Sequence, residues 1–202
     1  MIRFFDFTLS LLGLLVLWPI GIIIYIICLF DTGSPIFIQK RMGKGLKPFN
    51  VYKFRTMHVN TETKPSHLAD GNSVTKFGKF LRKSKLDEYP QLINVLKGEM
   101  SLVGPRPVIL LQKDIIEIRE ELGVYDYLPG ITGLAQINRI DTSHPRKMAI
   151  ADKMMLRKLN VVNYFKFIFI TVIGKGNGDM IRDFNTTPEP PKKEKIKSKV
   201  EA

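Results

Sequence analysis

The chain has 202 residues, a formal net charge of +12 and a single cysteine, Cys28. One cysteine excludes a disulfide framework within the chain, and His58, His67 and His144 lie too far apart for the ligand spacing of a histidine zinc site. The excess of lysine and arginine suits anionic headgroups, nucleotide phosphates and nucleic acid alike, so charge alone selects no partner.

From Phe7 to Phe30 the sequence is almost wholly apolar, with Trp18-Pro19 and Gly21 near its middle. This exceeds the ~7–15 residues of a signal-peptide core and meets the ~20 needed to cross a bilayer. No small-residue cleavage pattern follows it, and Asp31-Thr32-Gly33-Ser34-Pro35 reads as a turn, so the segment is expected to persist as an anchor. Pro19 has no amide hydrogen and its ring opposes the carbonyl four residues back, which predicts a kink or break at Trp18-Pro19. A helix that tolerates its proline would span the membrane; one that turns back would leave both ends in the cytoplasm. Lys40, Arg41, Lys44 and Lys47 place the following domain on the cytoplasmic side, and Arg3 asks for the same side. Both are satisfied by a re-entrant segment over residues 1–34.

Ile36-Phe37-Ile38 and the run Phe49 to Phe54 are short, β-branched or aromatic, and separated by Met42-Gly43-Lys44-Gly45, which predicts a β-hairpin. Residues 59–75 read as a polar surface loop. From Pro107, Val108, Leu111, Ile115, Ile118 and Leu122 recur at helical spacing opposite Lys113, Asp114, Glu117 and Glu120, predicting an amphipathic helix. A second is predicted from Arg146 to Asn160, with Met148, Ala151, Met155 and Leu159 against Lys147, Lys153, Arg157 and Lys158, a basic polar face that also suits an interfacial helix. Tyr164 to Ile170 is aromatic and apolar but too short to span a bilayer. Residues 174–178 read as a turn, and the proline-rich, then Lys/Glu-rich stretch from Asn185 as a disordered tail. The predicted class is α+β and mostly helical, with one small hairpin.

Carboxylates, arginines and turn residues crowd into Arg82 to Gln91 and Gly104-Pro105-Arg106-Pro107. Ser84-x-x-Asp87 ahead of Leu92, Ile93 and Leu96 fits a helix-capping box. Pro90 is tolerated only in a first turn, so Asp87 and Glu88 are expected at or just before a helix N-terminus, where unpaired amides favour anions. Two adjacent carboxylates repel a phosphate unless Arg82, Arg106 or a divalent cation, with magnesium the natural candidate, offsets their charge. One carboxylate could then attack phosphorus while its neighbour holds metal or handles a proton. Arg41, Lys53 and Arg55 either line a nucleotide site or form a solvated face of the hairpin.

Taken in order, the proline-interrupted N-terminal segment, Arg41-x-Gly43, Phe49-x-x-Tyr52-Lys53-Phe54-Arg55-Thr56-Met57, Gly78-x-Phe80-Leu81-Arg82, Leu86-Asp87-Glu88-x-Pro90-Gln91, Met100 to Pro107 and Pro129 to Gln136 resemble the bacterial monotopic phosphoglycosyl transferases, also called polyprenyl-phosphate sugar-phosphate transferases. The resemblance implies an N-terminal helix that enters the inner membrane, turns and leaves on the cytoplasmic face, with amphipathic helices along the interface. It implies a transferase domain over residues 35–184 that moves a sugar 1-phosphate from a UDP-sugar to undecaprenyl or another polyprenyl phosphate and releases UMP, the first membrane step of a glycan pathway. In that scheme Asp87 is the nucleophile and Glu88 completes the dyad. The two together hold Mg2+, and Arg82 and Arg106 contact substrate phosphates, with Lys53, Arg55 and Arg41 as further binding residues. Leu128 stands where many members carry a basic residue, and Ile137-Asn138-Arg139-Ile140 departs from the usual Val-Asn-Gly-Arg, which puts contacts from that region in doubt. The competing class is a basic, membrane-anchored binding protein for anionic lipid or nucleic acid. It leaves the Asp-Glu pair unexplained, and no regular aromatic stacking positions or helix-turn-helix support nucleic acid as a partner. Membrane lipids are expected neighbours, and a homodimer is left open.

Overall fold

A computed structural model describes residues 1–61 and 73–173. Most of the expected 59–75 loop, the turn at 174–178 and the expected tail from 185 lie outside the described residues. The elements in chain order are α1 (Ile2–Thr32), β1 (Ile36–Met42), β2 (Pro48–Phe54), α2 (Lys76–Ser84), α3 (Gln91–Lys97), β3 (Ser101–Val103), α4 (Lys113–Glu121), β4 (Gly130–Thr132), α5 (Leu134–Ile137), α6 (Pro145–Arg157) and α7 (Val161–Val172). The fold is thus α+β and mostly helical, with two small two-stranded sheets among the described residues.

At 31 residues and 1.5 Å per residue, α1 is about 46 Å long. It buries a narrow stripe of Asp6, Ser10, Gly21, Ile24 and Cys28, while Phe4, Leu15, Val16, Trp18 and Phe30 are exposed. This inverts the usual amphipathic helix: the polar and small side chains face protein and the large apolar ones face outward, the pattern of a helix whose solvent is lipid. It is the one helix among the described residues long and apolar enough to cross a membrane.

The expected break does not end the helix, because Pro19 is accommodated inside α1. Proline removes the amide that would serve the Leu15 carbonyl, and a neighbouring side chain reaches the same region: the Tyr89 hydroxyl donates to the Leu14 carbonyl at 3.2 Å. A Cβ on Gly21 would stand 2.8 Å from the Tyr89 ring, so glycine there admits the aromatic against the helix.

Both ends of α1 dock on the same domain. Near its start, the Arg3 guanidinium donates to the carbonyls of Val95, Leu96 and Met100, and buried Asp6 accepts from Ser101 Oγ, the Leu102 amide and the Tyr164 hydroxyl. At its other end Ile24 and Cys28 pack with Phe54 and Leu81, and Thr75 Oγ1 donates to Asp31 at 2.6 Å. The same Thr75 oxygen accepts from the Gly78 amide and so caps α2.

The hairpin forms as expected, with Ile36 opposite Phe54, Gln39 opposite Val51 and Met42 opposite Pro48. Fully buried Asn94 joins it to α3: its Oδ1 accepts from the Tyr52 amide and its Nδ2 donates to the Asn50 carbonyl and to Glu99. β3 and β4 pair in parallel, Ser101 with Gly130 and Val103 with Thr132. A Cβ on Gly130 would lie 2.0 Å from the Gly104 amide nitrogen, so these segments meet backbone to backbone and glycine is obligatory.

Two helical expectations need correction. The amphipathic helix begins at Lys113 rather than after Pro107. Residues 108 and 109 instead run alongside Arg41-Met42, with the Met42 amide donating to the Val108 carbonyl, so the buried Val108 packs in the core as part of an extended strap. Nor does Ser84 cap α3: it closes α2, its hydroxyl bonding back to the Phe80 and Leu81 carbonyls. The helix at Pro145–Arg157 matches the expected segment within a few residues, and buried Met148, Ala151 and Met155 confirm its stripe; the aromatic stretch after it, given no secondary structure from sequence, forms α7.

Candidate active site

Asp87 and Glu88 lie in a single 3-10 turn, Leu86–Glu88, between α2 and α3, and Pro90 is the N-cap of α3, so the dyad sits just before a helix start as expected. Both carboxylates are buried, 6% and 7% exposed, where an unpaired charge is costly. The Glu88 carboxylate meets two cations on one oxygen: Lys53 Nζ at 3.0 Å from β2 and Arg106 NH2 at 2.9 Å from the Gly-Pro-Arg-Pro turn. These side chains are largely enclosed, so the bonds are much less screened than surface ion pairs. Tyr89, next in sequence, stacks on Phe54 with ring centroids 6.3 Å apart and carries the turn against α1. Burial raises its hydroxyl pKa.

The Arg106 turn is held along its length. The Gly104 amide donates to the Thr132 carbonyl, and the carbonyls of Pro105, Arg106 and Pro107 accept from the Gly130 amide, Arg119 NH1 and Arg41 NH1 in succession. Helical spacing alone puts position 119 inside an amphipathic helix and gives it no role. Arg119 is 1% exposed, and its Nε and NH2 both donate to Asp152 of α6, at 3.0 and 2.6 Å. Burial raises the Asp152 pKa while Arg119 pulls it down. The signal available in sequence was an arginine and an aspartate on otherwise apolar faces of two helices.

The structure therefore brings Asp87, Glu88, Lys53 and Arg106 together and ties Arg41 to the same turn. Arg82 donates through Nε to Thr56 at 2.8 Å, while its NH1 is buried without a partner. Gln91, the first residue of α3, is likewise buried with Nε2 unpaired. Two such donors flanking the dyad turn are costly in an apolar interior and suit an anionic ligand. Arg55 is placed elsewhere: it bonds Ser34 and lies 5.3 Å from the Phe37 ring, where α1 ends. Arg139 is exposed in the left-handed region at φ 57°, and no described contact carries it to the dyad. Lys85, not singled out from sequence, precedes the dyad turn in the left-handed region at φ 59°, which costs a non-glycine residue about 1–2 kcal/mol. Its Nζ reaches the Thr171 carbonyl of α7 at 3.5 Å, and burial lowers its pKa, with Glu88 opposing and Arg106 adding to that shift.

No group of three or more His, Cys, Asp or Glu side chains among the described residues is arranged to hold a metal by itself. Mg2+ commonly takes only one or two carboxylates and completes its shell with substrate phosphates and water, so a buried Asp-Glu pair fits it as a shared ligand.

A family model described as bacterial sugar transferase matches residues 1–175. The chain belongs to that family. It is 42% identical over 139 residues to the sugar transferase EpsL of Bacillus subtilis, covering 67% of each chain. It is 38% identical over 139 residues to the UDP-glucose:undecaprenyl-phosphate glucose-1-phosphate transferase of Xanthomonas campestris, covering 66% of this chain and 29% of that one. Over 116 residues it is 43% identical to the UDP-N-acetylgalactosamine-undecaprenyl-phosphate N-acetylgalactosaminephosphotransferase of Aeromonas hydrophila, covering 55% of this chain and 27% of the relative. The chain thus spans less than a third of the length of those last two proteins.

Proposed function

We propose that this chain transfers a sugar 1-phosphate from a UDP-sugar to a polyprenyl phosphate such as undecaprenyl phosphate, at the cytoplasmic face of the bacterial inner membrane. The observation that carries the reading is the buried Asp87-Glu88 turn, clamped by Lys53 and Arg106 and flanked by the unpaired donors of Arg82 and Gln91. A non-enzymatic binding surface gives no reason to bury two carboxylates among cations and leave donors unsatisfied.

In the proposed chemistry an Asp87 carboxylate oxygen attacks the sugar-bearing phosphorus of the donor. The bond from that phosphorus to the bridging oxygen breaks, and UMP leaves with the electron pair. The phosphosugar then resides on Asp87 as an acyl-phosphate. An oxygen of the lipid phosphate attacks the same phosphorus, the bond to Asp87 breaks, and the carboxylate is regenerated with the polyprenyl diphosphosugar as product. Glu88 holds Lys53 and Arg106 through one oxygen, which sets both cations beside the reacting phosphates. Asp87 and Glu88 would hold Mg2+, which offsets the charge of the donor diphosphate when bound. Arg82 NH1 and Gln91 Nε2 gain the partners they lack, and Arg41 and Arg119 keep Arg106 in place through the turn's carbonyls.

The membrane reading rests on α1. Arg3 and Asp6 at one end and Asp31 at the other are all bonded to the same domain, so a helix reaching the far side of the bilayer would have to break the Arg3 and Asp6 contacts. This supports an anchor whose two ends share the cytoplasmic side. Phe4→Cys in a Cys28→Ala background tests it, since Phe4 is exposed and outside the anchoring contacts. The re-entrant anchor predicts labelling only after the membrane is permeabilised, whereas labelling from the periplasm in intact cells excludes it.

For the reaction, protein in nanodiscs with Mg2+ and undecaprenyl phosphate is assayed for UMP release across a panel of UDP-sugars. Release that requires lipid and is lost in Asp87→Asn is expected. An Asp87→Asn protein as active as wild type would overturn the assignment.

A further inference from the structure

Lys85 occupies the position after α2 where helices commonly end in glycine, and it holds the left-handed conformation that favours glycine. A long cationic side chain retained there, directly before the catalytic turn, points from a strained backbone to a use for the side chain. Its hydrogen bond to the Thr171 carbonyl, at 3.5 Å, is at the limit of a useful contact and is readily exchanged for a stronger one. Lys53 and Arg106, by contrast, are committed to Glu88 at 3.0 and 2.9 Å.

The surroundings of Lys85 indicate which phosphate it meets. Thr171 lies in the last turn of α7, a 12-residue apolar helix about 18 Å long, too short to cross a bilayer. That end of the helix leaves Phe169, Val172 and Ile173 exposed, at 65%, 79% and 60%. At its other end α7 meets α1, with Phe165 against Phe5 at 5.1 Å. Lys85 therefore stands between the dyad turn and an apolar surface continuous with the membrane anchor. A soluble nucleotide-sugar has no use for that surface; a phosphate joined to a long hydrocarbon chain does.

We propose that Lys85 is a binding residue for the phosphate of the lipid acceptor, seated between the Asp87-Glu88 turn and the end of α7. The proposal rests on the transferase reading above, and its test separates the two half-reactions. Exchange of labelled UMP into UDP-sugar, without lipid, reports donor binding and the first displacement alone. Turnover against undecaprenyl phosphate in nanodiscs adds the second. Lys85→Met and Lys85→Gly should exchange UMP within about twofold of wild type, while the KM for undecaprenyl phosphate rises roughly tenfold or more, the loss expected for one charge-assisted bond to phosphate. Lys85→Arg should recover part of that loss. Lys85→Gly, whose backbone is at ease in this conformation, should unfold at the same temperature as wild type or higher.

UMP exchange falling in step with overall turnover would place Lys85 on the donor and overturn the proposal. An unchanged KM for the lipid, or a lowered unfolding temperature in Lys85→Gly, would reduce the lysine to a cap for α7 and overturn it as well. Wild-type protein that exchanges no UMP with any donor would instead defeat the transferase reading and this proposal with it.

Discussion

The molecule buries two clusters of opposite charge, and they are built differently. Around Arg119 and Asp152 one cation meets one carboxylate at 1% and 0% side-chain exposure, and the spare guanidinium nitrogen goes to the Arg106 carbonyl. Around the dyad two cations share one oxygen of Glu88, a third cation, Lys85, stands at the turn's entrance, and Arg82 and Gln91 hold unsatisfied donors. The first cluster aligns a loop and its one unpaired atom is an acceptor, Asp152 Oδ1; the second has unpaired donors, Arg82 NH1 and Gln91 Nε2, which suit an incoming anion. Buried charge alone does not mark a site. The surplus of donors over acceptors does.

The comparison breaks most severely at Asp87. Asp87→Asn keeps the shape and removes the nucleophile, and turnover should fall by roughly a thousandfold or more while the unfolding temperature stays close to wild type. Chelation of divalent cations should abolish turnover of wild type and be reversed by adding Mg2+, with no change in unfolding.

The Arg119-Asp152 cluster should respond in stability first. Arg119→Met or Asp152→Leu alone leaves a buried charge unpaired and is expected to cost about 3–5 kcal/mol in unfolding. The double substitution should recover most of that stability but not the activity, because the Arg106 carbonyl has still lost its donor. Full recovery of activity in the double variant would show that Arg106 is positioned without Arg119.

The smallest effects are expected where the dyad turn meets α1. Tyr89→Phe removes the bond to the Leu14 carbonyl and should cost about 0.5–1.5 kcal/mol, with turnover changed only a few-fold. Gly21→Ala pushes a methyl to within 2.8 Å of the Tyr89 ring and should cost about 1–3 kcal/mol, partly offset by the better helix propensity of alanine.

Local patterns made much of this arrangement legible in advance. The hairpin, the helix over 145–157 and the apolar anchor were readable because alternation, 3.6-residue spacing and unbroken apolarity are written within single segments. Asp87, Glu88 and Arg106 were readable because proline stiffens both turns that carry them. The pairing of Arg119 with Asp152 was not, since it joins positions 33 residues apart on two helices, and a charge on an apolar face does not name its partner. Helix α4 starts late because the strap at 108–109 pairs with Arg41-Met42, a tertiary contact that overrides local periodicity. Arg55 reads as a site residue from its place near Lys53, yet it turns to Ser34 at the end of α1. Strand alternation would put Arg55 on the same face as Lys53, but β2 ends at Phe54, so Arg55 lies beyond the strand and that pattern does not place it.

The most direct test of the central claim is intact mass measurement after mixing the protein with an accepted UDP-sugar and Mg2+ in the absence of lipid. The account predicts a covalent phosphosugar adduct on Asp87, formed with release of UMP, removed on adding undecaprenyl phosphate and absent from Asp87→Asn. Lipid-dependent UMP release with no adduct at any time, or an adduct that persists in Asp87→Asn, would contradict it.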